Sequence, residues 1–195
     1  MKKEALFEKL RANTRQQYDK PDVTGIAAIH YPDVVAQFVS MSQTVGGRVE
    51  RIGRSDDINA VVRRLYPEAR TFASSLPYVT IAQVNPDTVS DVSELNGTDV
   101  AILEGEVGVA ENGCIWIPQT MKERAVCFIS EELVIVLDAS NIVDNMHEGY
   151  RRISVPQLGY GCWISGPSKT ADIEQALVMG AQAARGVTVL LRQGQ

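Results

Sequence analysis

The residues best equipped for chemistry fall in two short polar runs in the second half of the chain. The first is Ser165-Gly166-Pro167-Ser168-Lys169-Thr170, which joins an adaptable backbone to hydroxyls and one cation. Backbone amides from Gly166 to Thr170, with Lys169 and the hydroxyls of Ser168 and Thr170, suit an anion such as a carboxylate or phosphate. The second run is Glu111-Asn112-Gly113. Glu111 is its one carboxylate and the candidate catalytic residue, as general base or nucleophile; a solvated turn acid is the plainer alternative. Glu104 and Glu106 lie close by and offer a paired-carboxylate site, since alternation on a strand points both the same way.

These runs need elements to hold them. Cys162-Trp163-Ile164 reads as an apolar strand entering the first run. Ile173, Ala176, Leu177 and Gly180 then recur at helical spacing, and Val187 to Leu191 reads as a second strand. Strand, turn, helix and strand make a βαβ unit, whose turn is a usual ligand position. Asp172 and Glu174 would then lie in the first helical turns, complementing the dipole and opposing a second negative charge. Asn112-Gly113, between the apolar segments Val100-Leu103 and Cys114-Ile117, signals a hairpin.

Further upstream, residues 1 to about 17 read as an amphipathic helix with Leu6, Phe7 and Leu10 inward, followed by a polar tether. Tyr31-Pro32-Asp33 opens a second helix, with proline in its first turn. Arg48 to Ile52 alternates like a half-buried strand. Ser55-Asp56-Asp57 caps a helix with Ile58, Val61, Val62 and Leu65 inward. Strands are expected at Ala69-Ala73, Ala125-Ile129 and Leu133-Leu137, and a helix from Asp138 through Tyr150. Continuous apolar runs suit a sheet covered on both faces. The pattern predicts an α/β fold with a mostly parallel sheet flanked by helices and one antiparallel part near Asn112. An N-terminal helix and tether would occupy residues 1–24, and a single α/β domain residues 25–195. In such a fold both polar runs are expected at the carboxyl ends of parallel strands.

The totals narrow the function. A net charge of −5 over 195 residues argues against non-specific nucleic-acid binding. The apolar run Leu133-Leu137 is too short to span a bilayer. Glu4 and Glu8 interrupt what would be the apolar core of a secretory signal. Cys114, Cys127 and Cys162 are widely spaced, in strand-like contexts, and without a CxxC pair. Reduced, buried thiols in a cytoplasmic protein are expected, with neither a metal site nor an iron–sulfur cluster in this chain. His30 and His147 are too few for a histidine-rich metal centre. Trp116 and Trp163 read as core residues.

Two segments resemble a known family. Val109-Ala110-Glu111-Asn112-Gly113-Cys114-Ile115 resembles the AETGT-type turn of the LUD-domain lactate-utilisation proteins. Ser165-Gly166-Pro167-Ser168-Lys169-Thr170-Ala171-Asp172-Ile173-Glu174 resembles that family's SGPS-x-TADIE segment. The resemblance covers about residues 98 to 192. It implies a NagB/RpiA/CoA-transferase-like α/β fold. It also implies a role as a non-cluster subunit of an iron–sulfur system oxidising L-lactate or another α-hydroxy acid, with the clusters in partner subunits. A stand-alone protein acting on a phosphorylated, CoA-linked or folate-type ligand is the alternative the fold implies. The ligand-binding residues carried over are Asn112, Gly113, Ser165, Gly166, Ser168, Lys169, Thr170, Asp172 and Gln182. Asn112 and Cys114 stand where the family usually has threonines, and Gln182 where it has histidine. A glutamine can hydrogen-bond but cannot titrate near neutral pH.

Overall fold

The computed structural model describes the chain except residues 1, 15, 17, 20, 23–24, 156–158, 174–175 and 195; for 171–173 and 176–177 only the backbone is described. Five strands form a wholly parallel sheet in the order β1-β11-β6-β3-β2. They are β1 (Arg48–Gly53), β2 (Phe72–Ala73), β3 (Val100–Glu104), β6 (Glu132–Asp138) and β11 (Gly186–Gln193). The middle strands are apolar along their whole length because both faces are covered. On one face Ala101, Leu103, Leu133, Ile135, Leu137, Val189 and Leu191 pack with Phe38 of α2 (Val34–Thr44). On the other face Val100, Ile102, Val134, Val136 and Leu190 meet Ile58 and Val62 of α3 (Ile58–Leu65).

A second sheet, in the order β7-β4-β5-β8, lies over the α2 face. It comprises β4 (Val107–Val109), β5 (Ile115–Pro118), β7 (Ile142–Val143) and β8 (Gly161–Ile164). A hairpin does form around Asn112-Gly113, but its first strand is β4 and not Val100-Leu103, which belongs to the parallel sheet; β5 also pairs antiparallel with β8. Ile115 and Ile117 point from β5 into the shared core.

Several expectations are corrected. The segment after Ser168 is not a helix but an antiparallel hairpin of β9 (Lys169–Ile173) and β10 (Ala176–Met179). No βαβ unit forms, because β8 belongs to the second sheet and β11 to the first. Ala125-Ile129 is not a strand; Val126–Ile129 is the short helix α4, so Cys127 is helical. The helix expected from Asp138 breaks into a short 3₁₀ turn at Ala139–Asn141, β7, and α5 (Met146–Arg152). Asp138 does cap, but it caps the 3₁₀ turn through the Ser140 amide at 2.9 Å. The Ser140 hydroxyl and amide hold its carboxyl below the ordinary aspartate range. At the second helix Asp33 is the cap, accepting from Ala36 N–H at 2.9 Å, so Pro32 precedes the helix instead of lying in it. The N-terminal helix, α1 (Lys3–Asn13), forms as expected but buries none of its residues. Leu6, Phe7 and Leu10 are 41, 45 and 55% exposed, not inward.

Candidate functional site

The hairpin turn at Glu111-Asn112-Gly113 is held from several sides. Val109 N–H donates to Cys114 O at 2.8 Å, and Gly113 N–H donates to Val109 O at 2.9 Å. Asn112 Oδ1 accepts from Cys114 N–H at 3.1 Å, an Asx-type bond that fixes the turn. Gly113 has φ +67°, and a β-carbon there would stand 3.1 Å from Ser42 N at the end of α2. Glu111 is exposed, and one carboxylate oxygen accepts from Met146 N–H at 3.0 Å. That bond caps α5, and the negative charge complements the helix N-terminus.

The second run meets the first. Ser165 Oγ donates to Asn112 O at 2.8 Å across 53 residues of sequence. Gly166 follows with φ +64°, where a β-carbon would be 2.7 Å from Val45 O. Ser168 N–H donates to Ala184 O at 2.9 Å, so this amide is committed to the protein rather than to an anion cradle. Ser168 O in turn accepts from Gly180 N–H at 3.0 Å. Lys169 is exposed, its Nζ lying beside Gly46. Thr170 is half-buried on β9, and Asp172 follows on the same strand. With β9 in place of a helix, the expected dipole for Asp172 to complement does not arise; Glu174 lies outside the described residues.

Ser165, Gly166, Ser168 and Lys169 line a hollow of about 320 Å³ with Cys127 and Trp163 in its wall. Cys127 is buried in the core, while Cys114 and Cys162 are half-buried rather than fully enclosed. A hydrogen bond toward Cys162 and burial push the Cys127 thiol well above its ordinary pKa. Burial raises Cys114 too, opposed by the Ser165 hydroxyl. Such thiols stay protonated and are poor nucleophiles. Gln182 is exposed and lines a neighbouring hollow of about 390 Å³ with Ser130, Glu131 and Arg185. The two hollows share Phe128 and Ala183.

Both hollows lie at the amino ends of the parallel sheet, a correction to the position expected from sequence. Leu133 and Val187, at the starts of β6 and β11, line the first. The reason is topological: β8 runs antiparallel to β5, so the loop after Ile164 emerges beside the hairpin turn.

The carboxyl ends hold a different cleft, of about 310 Å³. Its walls include Ser75 after β2, Glu104 and Glu106 around the end of β3, and Asn141 beyond β6. This is where open parallel sheets offer ligand sites. Gly105 N–H donates to Val136 O at 2.8 Å, continuing the sheet ladder and setting the turn that carries both glutamates. Burial, with the Glu104 charge, raises the pKa of Tyr78, and the Arg192 charge opposes this. Arg54 pairs with Asp138 at 3.0 Å on the same rim. The sequence marks Glu104 and Glu106 as a pair but does not single out Ser75 and Asn141. Their signal is slight: a polar residue one to four positions past an apolar strand.

The other sequence candidates are placed more simply. Trp116 is buried as expected; Trp163 is half-buried, 5.3 Å from Trp116 and 5.7 Å from Tyr150 between ring centroids. His147 is exposed on α5.

A parallel sheet covered by a small mixed sheet, with the two signature turns locked together, defines the class. The chain belongs to the LUD domain family, whose model matches residues 92–191. No curated protein matches it. Among solved structures it is similar to a DUF162 family protein from Deinococcus radiodurans, determined by crystallography. The TM-score is 0.65 at 15% identity, covering 85% of this chain and 99% of that one. At this identity the likeness speaks for the fold alone. No helix among the described residues is long and apolar enough to cross a membrane.

Proposed function

We propose that this LUD-domain chain is a non-cluster subunit of an iron–sulfur system that oxidises L-lactate or a related α-hydroxy acid. One observation carries the reading: the two family-like turns, 53 residues apart, meet in a single bonded unit through Ser165 and Asn112. A junction of this kind presents a built surface rather than a plain connection. The iron–sulfur clusters belong to partner subunits in this reading, and the protein works in the cytoplasm. The Ser165–Lys169 hollow, with the Lys169 cation and the Ser168 hydroxyl, suits the carboxylate of a hydroxy acid. Isolation of the chain from its own cells under gentle conditions tests the assembly. Iron–sulfur proteins recovered with it support the reading, and a clean monomer without them opposes it.

A second reading is a stand-alone binding protein or enzyme for a phosphorylated, CoA-linked or folate-type ligand. Its support is the carboxyl-end cleft with Ser75, Glu104 and Asn141, the position where open parallel sheets take small molecules. A thermal-shift panel of L-lactate, sugar phosphates, CoA esters, folates and ATP separates the two. Saturable stabilisation by lactate alone, lost in Lys169→Ala, favours the first. Stabilisation by a phosphorylated or folate-type compound, lost in Glu104→Gln, favours the second.

A further inference from the structure

His30, Asp144 and Glu148 converge from separate parts of the chain. His30 precedes α2, Asp144 ends the turn after β7, and Glu148 lies in the first turn of α5. One ligand atom of each falls within 4.8 Å of the other two. His30 Nδ1 stands 3.3 Å from Asp144 Oδ2 and 3.6 Å from Glu148 Oε1. A charge-assisted N–H···O bond is about 2.7–2.9 Å long, so both contacts are long for direct pairing. They match the spacing of ligands around one small cation. With metal–nitrogen and metal–oxygen bonds near 2.1 Å, a tetrahedral pair of ligand atoms is about 3.4 Å apart.

The surroundings are arranged as metal sites require. Asp144 Oδ1, the other carboxylate oxygen, accepts from Tyr31 N–H at 2.6 Å. Asn145 is 1% exposed. Its Nδ2 donates to Ile29 O at 2.9 Å and to Glu148 Oε1 at 3.3 Å, and its Oδ1 accepts from Glu148 N–H at 3.1 Å. One buried amide thus fixes both the segment carrying His30 and the helix carrying Glu148. Such outer bonds orient metal ligands. With a neutral imidazole the three groups carry two negative charges, which a divalent cation offsets.

We propose that His30 Nδ1, an Asp144 oxygen and a Glu148 oxygen form a three-ligand site for a borderline divalent cation of the Zn²⁺ type. The remaining coordination positions face solvent, since His30 is 69% exposed. Bound metal fastens the segment before α2 to the head of α5. The site is separate from both candidate ligand hollows and from the carboxyl-end cleft.

Calorimetric titration of the untagged full chain with ZnCl₂ tests this, with Co²⁺ absorption as a second readout. Wild type binds one equivalent, and Co²⁺ gives a visible ligand-field band without thiolate charge transfer. His30→Ala, at a surface position that leaves the fold intact by circular dichroism, weakens binding about tenfold or more. Glu148→Gln weakens it too, while His147→Ala binds as wild type. No heat with Zn²⁺, unchanged affinity in His30→Ala, or a thiolate band from the cysteines overturns the proposal.

Discussion

Ser165 Oγ donates a hydrogen bond to the main-chain oxygen of Asn112 at 2.8 Å, tying the loop after β8 to the β4–β5 turn. Both groups are sheltered, so losing the donor leaves a carbonyl with a poorer partner. Ser165→Ala is expected to lower stability by about 1 kcal/mol. Urea denaturation with an unchanged slope and a lower midpoint is the expected result. An unchanged midpoint would show that the junction contributes nothing.

Gly166 is the more sensitive neighbour. At φ +64° an L-residue pays about 1–2 kcal/mol, and the added carbon would sit 2.7 Å from Val45 O. Gly166→Ala should therefore cost more than Ser165→Ala. Thermal melts of the two variants, side by side, check the order.

Part of this site is legible in the amino-acid sequence. Asn112-Gly113 signals a hairpin because glycine readily takes the positive φ a tight turn needs, and a hairpin is there, though its first strand is Val107–Val109 instead of Val100-Leu103. Leu133-Leu137 announced a strand covered on both faces, and those five side chains are buried. The segment after Ser168 misled. Its pairing shifts between Ala176 and Val178, and a bulge breaks the two-residue alternation, leaving apolar positions spaced as on a helix. Val126-Ile129 misled for another reason: four apolar residues carry no period long enough to separate helix from strand. The end of the sheet at which the Ser165 loop lies was not legible at all. It depends on β8 pairing with β5, which local sequence does not encode.

Asp99 gives the fold an acid-labile clamp. Its carboxylate accepts from Arg70 N–H at 2.7 Å and Thr71 N–H at 2.8 Å, at the entry to β2. These bonds, Thr71's first, hold its pKa below the ordinary aspartate value. The stabilisation is therefore present above the unfolded aspartate pKa and is lost as pH falls through the lowered folded value. Asp99→Asn should be less stable than wild type near pH 7, with the gap closing as pH falls below the ordinary aspartate pKa of about 3.9. Urea midpoints across that range check it; a gap that widens on acidification would contradict the sign.

Glu104 sets the electrostatics of the carboxyl-end cleft. Burial keeps the Tyr78 hydroxyl protonated first, and the Glu104 charge adds to it. Glu104→Gln should bring the Tyr78 pKa down without restoring the ordinary value, because burial remains. Ring-carbon NMR titration of Tyr78 reads this shift; no movement would place the Glu104 charge too far from the hydroxyl to matter.

The central proposal is that the chain is needed for hydroxy-acid oxidation by an iron–sulfur system. The most direct measurement is L-lactate-dependent dye reduction in extracts of source cells lacking this chain. The proposal predicts that the rate is lost and returns when purified wild-type protein is added. An undiminished rate in the extract without the chain would contradict it.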